Sequence, residues 1–279
     1  MKKALITGAG RGIGRATALA LAGMGYEIYA NYVGNTQAAE ETKALIEKNG
    51  GVCTLVKYDL CKTDCAEKLY EITGDVDALV LNASIQFRKK WIEITPEEYE
   101  TQMNCNFRAN LFLMQKYAPG MVKKGFGRIV TVGSVQEAKP HPDMLVYSSS
   151  KAALTLMARS LSLQLAGTGV TVNSVAPGVV ATDRNAEALA DEEYRCFPRF
   201  RWDSARRLTR LPVQLPSCAR RTRLTSRVRI CLSTAACRSN KRIKTDFMFK
   251  ITVRIFILAV FFIIFPVKNF LFCANFLLF

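Results

Sequence analysis

Histidine is almost missing: His141 is the only one in 279 residues. That removes the material for a Ser-His-Asp triad and for a histidine-based zinc site. Nine cysteines are present, but no two form a Cys-x-x-Cys pair, and Cys61 and Cys65 have no histidine nearby. They read as reduced thiols of a cytoplasmic protein, with no metal bound. Long uncharged apolar runs are also lacking. The longest, Ile255–Val267, has 13 residues and contains Pro266, whereas a bilayer span takes about 20. After Met1-Lys2-Lys3 only Ala4-Leu5-Ile6 is apolar before glycines and an arginine intervene, too short for an export signal.

Acidic residues vanish from one end of the chain. Residues 1–194 hold 21 Lys+Arg and 21 Asp+Glu, while residues 195–279 hold 18 Lys+Arg against only Asp203 and Asp246. The whole net charge of +16 therefore belongs to the later part. The high pI is not a property of the first 194 residues and does not imply a specific nucleic-acid partner. Three segments follow: a folded domain over 1–194, a basic Arg-rich segment over 195–246 without regular structure, and an apolar Phe/Ile-rich tail over 247–279.

The first segment alternates strand-like and helix-like patterns. Strands are expected at Lys3–Thr7, Glu27–Tyr32, Val52–Lys57, Ala78–Leu81, Gly127–Val132 and Val170–Ala176. Helices are expected at Ile13–Met24, Thr36–Lys48, Ala66–Ile72, Ser148–Leu165, and from Thr95-Pro96-Glu97-Glu98 toward Lys116 as one helix or a bent pair. Thr95 caps that last helix, Pro96 suits its first turn, and the acids face the positive end of its dipole. Alternation at this spacing predicts an α/β domain, a doubly wound parallel sheet with helices on both faces.

Gly8, Gly12 and Gly14 stand between the first strand and the first helix. A turn of this kind lets main-chain N–H groups approach a pyrophosphate that side chains would hold off. Arg11 and Ile13 lie in the same loop, and Arg11 can reach a second phosphate. NAD-binding chains place an acid about 20 residues on, at the end of the second strand. Here that point reads Tyr29-Ala30-Asn31-Tyr32. Asn31 and Tyr32 are expected to face the cofactor, and the missing acid favours NADP over NAD.

Tyr147 and Lys151 are spaced i, i+4 and so share one helix face. A free tyrosine titrates at about 10, and a neighbouring ammonium favours its phenolate, making it usable for proton transfer near neutrality. The spacing alone is common, and Tyr58 and Lys62 repeat it at a strand end. What distinguishes Tyr147 is Ser134, at the C-terminal end of the fifth strand, where open parallel sheets bind ligands.

In these motifs, over residues 2–194, the chain resembles the short-chain dehydrogenase/reductase family, in its 3-ketoacyl-acyl-carrier-protein-reductase-like branch. Thr7-Gly8-x-x-x-Gly12-x-Gly14, the Ser134/Tyr147/Lys151 set, and Pro177-Gly178 followed by Thr182 match in order and spacing. The resemblance implies hydride transfer between NADP(H) and a carbonyl or alcohol. Tyr147 would be the general acid/base and Ser134 would orient the carbonyl. Lys151 would assist Tyr147 and bind the nicotinamide ribose, and Asn106 would hold a water of a proton relay. Asp59, with Leu60 beside it, would bind the adenine. Asn82 and Ala83 would line the adenine ribose, and Pro177, Gly178 and Thr182 would meet the nicotinamide. It also implies a small or acyl-carrier-bound carbonyl substrate and a homo-oligomer paired through the helices at Pro96–Lys116 and Ser148–Leu165. Leu81-Asn82-Ala83-Ser84 departs from the family's Asn-Asn-Ala-Gly, with Leu81 in place of an asparagine that braces the sheet.

After Tyr194 the resemblance ends, and the family's last helix and seventh strand have no counterpart. Loss of that strand would expose a sheet edge. Three readings of residues 195–279 stay open. The abrupt composition change favours out-of-frame translation. A basic stretch before an apolar end could touch anionic lipid, and thirteen arginines from Arg195 to Arg242 could neutralise phosphates.

Overall fold

The computed structural model describes residues 1–178, residue 180 and residues 230–232. In chain order the elements are β1 (Lys2–Ile6), α1 (Gly12–Gly23), β2 (Tyr26–Tyr32), α2 (Thr36–Lys48), β3 (Cys53–Lys57), α3 (Cys65–Thr73) and β4 (Ala78–Leu81). Then come α4 (Pro96–Met103), a π-helical turn (Asn104–Arg108), α5 (Ala109–Lys124), β5 (Gly127–Val132), α6 (Leu145–Gln164), β6 (Val170–Pro177) and β7 (Ile230–Leu232). The strands pair parallel throughout, in the order β3-β2-β1-β4-β5-β6-β7. The order reverses between β1 and β4, which opens a crevice above their C-terminal ends.

Alternating strand residues feed two apolar layers. Leu5, Leu79, Leu81 and Ile129 pack with Leu69 of α3 and with Leu113, Tyr117 and Met121 of α5. Ala4, Ile6, Ile28, Val80 and Val130 pack with Ala18 and Leu21 of α1 and Ile46 of α2. A strand buried on both faces must be apolar at every position, as β4 is. Asn35 caps α2 by accepting from Ala38 N. Thr95 and Glu98 form a reciprocal capping box on α4.

Two elements differ from expectation. The bent pair is joined by the π-helical turn, and its second helix runs past Pro119 to Lys124, where Gly125 closes it at φ +68°. At Gly120, inside that helix, a side chain would meet the carboxylate of Asp75, which would have to move aside. The basic segment, expected to lack regular structure, contributes β7. Its main chain pairs with Val175–Pro177 of β6, satisfying backbone groups at an edge expected to stand open. Thr182, the remainder of the basic segment and the apolar tail lie outside the described residues. No helix among the described residues is long and apolar enough to cross a membrane.

At the end of the sheet away from the crevice, buried Asp77 ties three strands. Its Oδ2 accepts from Lys3 N at 2.8 Å and its Oδ1 from Lys124 Nζ at 2.9 Å. Its own N–H and carbonyl pair with Lys3 O and Arg128 N. Burial alone would raise the carboxyl, but the Lys124 ammonium and the Lys3 amide outweigh it and hold the group below its ordinary value. Replacing Asp77 by Asn is expected to cost about 1–3 kcal/mol at pH 7. The unfolded carboxyl titrates at about 3.9 and the folded one lower. The ionised carboxylate's contribution is therefore complete above that pH and lost as pH falls through the folded value. Urea unfolding at pH 7 and again in acid reads this directly, and equal midpoints for the two chains at pH 7 would dismiss it.

Candidate active site

Thr7 and Gly8 leave β1 at the switch point and are clasped to the end of β4. Thr7 Oγ1 accepts from Asn82 N at 2.9 Å and from Ala83 N at 3.0 Å. Asn82 Nδ2 donates to Thr7 O at 2.9 Å and Gly8 O at 3.1 Å. The brace that Leu81 was expected to weaken is thus made by Asn82, while Leu81 is buried in the core. Gly8 and Gly12 have φ of +66° and +55°, values that favour glycine. A Cβ on Gly14 would overlap the Gly8 carbonyl and come within 2.7 Å of Asn82 Nδ2. α1 can therefore start directly beneath the turn.

That start is left open. Arg11, its exposed N-cap, makes no side-chain cap, and no acid lies in the first turn. The helix thus presents N–H groups and a positive dipole end toward the crevice, the requirement for a bound phosphate. Arg15 fixes the outer curve of the loop. It donates to Gly10 O through Nε at 3.1 Å and Nη2 at 2.8 Å, to Thr42 Oγ1 at 2.9 Å and to Ala38 O at 2.8 Å. No sequence signal marks Arg15 or Thr42, because their bonds to each other and to Gly10 O form only once α2 docks beside the glycine loop.

At the end of β2 the residues expected to face a cofactor divide. Asn31 is buried, and its Nδ2 donates to Val56 O and Tyr58 O, so its amide ties β2 to β3. Its carbonyl accepts from Ala9 N. Tyr32 is half-buried. Glu27 lies at the opposite end of the strand and accepts from Tyr29 Oη at 2.8 Å. No acid therefore stands at the strand's C-terminal end. Asp59 accepts from Cys61 N through Oδ1 at 2.8 Å, and Leu60 beside it is buried.

Across the switch point, α6 carries Tyr147 and Lys151 over the end of β5. Lys151 is 1% exposed, and its Nζ donates to Val132 O at 2.8 Å and lies 5.8 Å from the centre of the Tyr147 ring. Ser134 follows β5 after Gly133, and its Oγ accepts from Gln136 N at 3.2 Å. Gln136 in turn accepts from Ser148 Oγ at 2.9 Å, linking the strand end to α6. Pro177 and Gly178 end β6 on the same side.

Asn106 sits in the π-helical turn, fully buried. Its Oδ1 accepts from Ile85 N, and its Nδ2 donates to Ile85 O and to Ser150 Oγ. Ser150 Oγ donates to Tyr147 O at 2.7 Å. The Asn106 side chain thus clamps the loop after β4 to the helix bearing Tyr147. Its carbonyl accepts from Asn110 Nδ2 at 2.7 Å. An irregular turn at a buried polar residue is a frequent mark of functional positions.

The profile of the short chain dehydrogenases matches residues 2–193. Tetrahydroxynaphthalene reductase of Pyricularia oryzae is 33% identical over 229 residues, spanning 77% of this chain and 80% of that protein. The 3-oxoacyl-[acyl-carrier-protein] reductase of Synechocystis is 34% identical over 203 residues, spanning 71% and 82%. Among solved structures, a 3-oxoacyl (acyl-carrier-protein) reductase of Agrobacterium tumefaciens with NADP bound superposes with a TM-score of 0.65. It is 32% identical and covers 69% of this chain and 76% of the other.

The tight seat of Gly14 makes a direct test. Gly14→Ala must push α1 away from the turn and is expected to cost about 1–3 kcal/mol. This would appear as a lower urea midpoint at unchanged slope. An unshifted midpoint would mean that the helix start is not held by the Gly8 carbonyl.

Proposed function

The chain belongs to the short chain dehydrogenase family, and from that premise we propose that it moves a hydride between NADP(H) and a carbonyl or alcohol group. Tyr147 is the proton donor and acceptor in this reading. The observation that carries it is the buried Lys151 ammonium beside Tyr147, over the strand end that bears Ser134. Positive charge beside the ring favours negative charge on the phenol oxygen as its proton leaves. Ser134 Oγ already accepts from Gln136 N, so its own O–H is available to hold a carbonyl oxygen.

When bound, NADPH supplies the hydride. The Gly8–Gly14 turn, with Arg11 and Ile13, would hold its phosphates. Asn31 would act through its place at the end of β2, beside Tyr32. Asp59, Leu60, Asn82 and Ala83 would line the adenosine. Lys151, Pro177, Gly178 and Thr182 would meet the nicotinamide end. The acid-free end of β2 supports NADP over NAD, and the NADP-bound relative supports the same choice. Asn106 positions Tyr147 through Ser150, and in this reading its carbonyl side holds the relay water. The relatives' names support a carbonyl substrate, free or on an acyl carrier. Exposed Leu111 and Phe112 on α5, and Leu156 and Leu163 on α6, support pairing of two copies.

Fluorescence titration of the full chain with NADPH and with NADH tests the cofactor, and NADPH is expected to bind more tightly. Tyr147→Phe is expected to lower carbonyl reduction by about 10²–10⁴-fold while leaving NADPH binding intact. Undiminished turnover by that variant would remove Tyr147 from its role.

A second reading concerns the chain after the domain. The family match stops at residue 193, next to the composition break at 195. A tail translated out of frame would produce such a break, and the alternative that goes with it is a cofactor-binding remnant. NADPH binding without turnover of any carbonyl in a broad panel is expected in that case. A gene with no other frame past codon 194 encoding a helix and a strand would refute the frameshift.

A further inference from the structure

Asn110 stands one turn after Asn106, near the start of α5, and is 1% exposed. Its Nδ2 donates to Asn106 O, four residues back, at 2.7 Å. That oxygen can only accept, so the amide nitrogen is the atom that faces it. The amide oxygen is then turned into the interior, where Oδ1 is buried and meets no donor among the described residues. Holding a buried amide oxygen in this state is costly. Packing does not explain the residue, because Leu113 and Met114 fill the core from the same helix without that cost. The bond to Asn106 does explain it, and it falls where the helix changes pitch. In the π-helical turn main-chain N–H groups reach five residues back, as Ala109 N does to Asn104 O. A side chain that enters the ladder at a carbonyl four residues back bends a helix.

We propose that Asn110 is a positioning residue, which holds the π-helical turn in the form that presents the Asn106 side chain to Ile85 and Ser150. With the Asn106 carbonyl fixed, the Asn106 amide accepts from Ile85 N at 2.8 Å and donates to Ser150 Oγ at 3.1 Å. Ser150 carries the constraint to the Tyr147 carbonyl. A carbonyl oxygen has two lone pairs. Asn110 takes one, so the direction in which Asn106 offers the other is set as well. The bearing of Asn110 on proton transfer rests on the role proposed for Tyr147, whereas its bearing on the turn does not.

Two readings on the full chain, made with Asn110→Leu and Asn110→Asp, test this. The first is hydrogen exchange at the Ile85 amide, which needs neither cofactor nor substrate. Asn110→Leu keeps the bulk but cannot hold the carbonyl, and that amide is expected to exchange about tenfold faster or more, with the amides of β1 unchanged. The second is turnover, where kcat is expected to fall about tenfold or more while NADPH binding holds. Asn110→Asp adds a readout that packing alone does not move. Burial favours its neutral carboxyl, whose O–H can donate to the Asn106 carbonyl, whereas the carboxylate is repelled by it. Both losses, taken relative to the unaltered chain at the same pH, are therefore expected to shrink as pH falls and to grow as it rises. Unchanged Ile85 exchange in Asn110→Leu, or losses in Asn110→Asp that do not vary with pH, would overturn the assignment. Should the leucine variant not fold, the pH dependence of Asn110→Asp decides. A chain that reduces no carbonyl refutes the Tyr147 reading alone, and exchange at Ile85 still decides for Asn110.

Discussion

Four hydrogen bonds across the switch point, from Asn82 and Ala83 to Thr7 and Gly8, hold the two halves of the sheet in one geometry. They set where the glycine turn begins, and that fixes how close α1 comes, since Gly14 is seated against the Gly8 carbonyl. The open N-terminus of α1 points into the crevice for the same reason. Buried polar contacts of this kind contribute modestly when made and are expensive when broken. The clasp therefore specifies the site's shape more than it adds to stability.

The opposite wall is organised by a second polar cluster. Asn106, Ser150 and the Tyr147 carbonyl form one chain of hydrogen bonds, and Lys151 is pinned separately to the last residue of β5. The helix that bears Tyr147 and Lys151 is thus tied both to the turn holding Asn106 and to the end of β5. Gln136 does the same for the segment after Ser134, joining it to Ser148 at the start of α6. A site assembled this way needs little rearrangement at the moment of reaction.

The strands, the glycine turn and the capped start of α4 are legible in the sequence because each rests on local physics: apolar runs, positive φ and a Thr-Pro-Glu-Glu cap. Ser134, Tyr147 and Lys151 are legible because strand and helix spacing brings them to the C-terminal end of the sheet. The Asn106 side chain is less so, since its partners Ile85 and Ser150 lie far along the chain. Asn31 looks like a cofactor contact in sequence, yet its amide is spent on two carbonyls next to β3. The end of α5 is hidden behind Pro119 and Gly120, which read as breakers but are accommodated by packing.

The partners of the clasp are far apart in sequence, and this has a consequence for the order in which the chain acquires structure. β1, β2 and β3 with their helices can associate while the rest is still being synthesised, because each neighbours the next. The Thr7 hydroxyl, however, finds its donors only when Asn82 and Ala83 arrive on β4. Closing that long loop is a late and entropically costly step. A nascent chain ending before β4 would carry the full glycine motif with nothing to fix its shape. Competence to hold a phosphate thus emerges not with the motif but with the fourth strand.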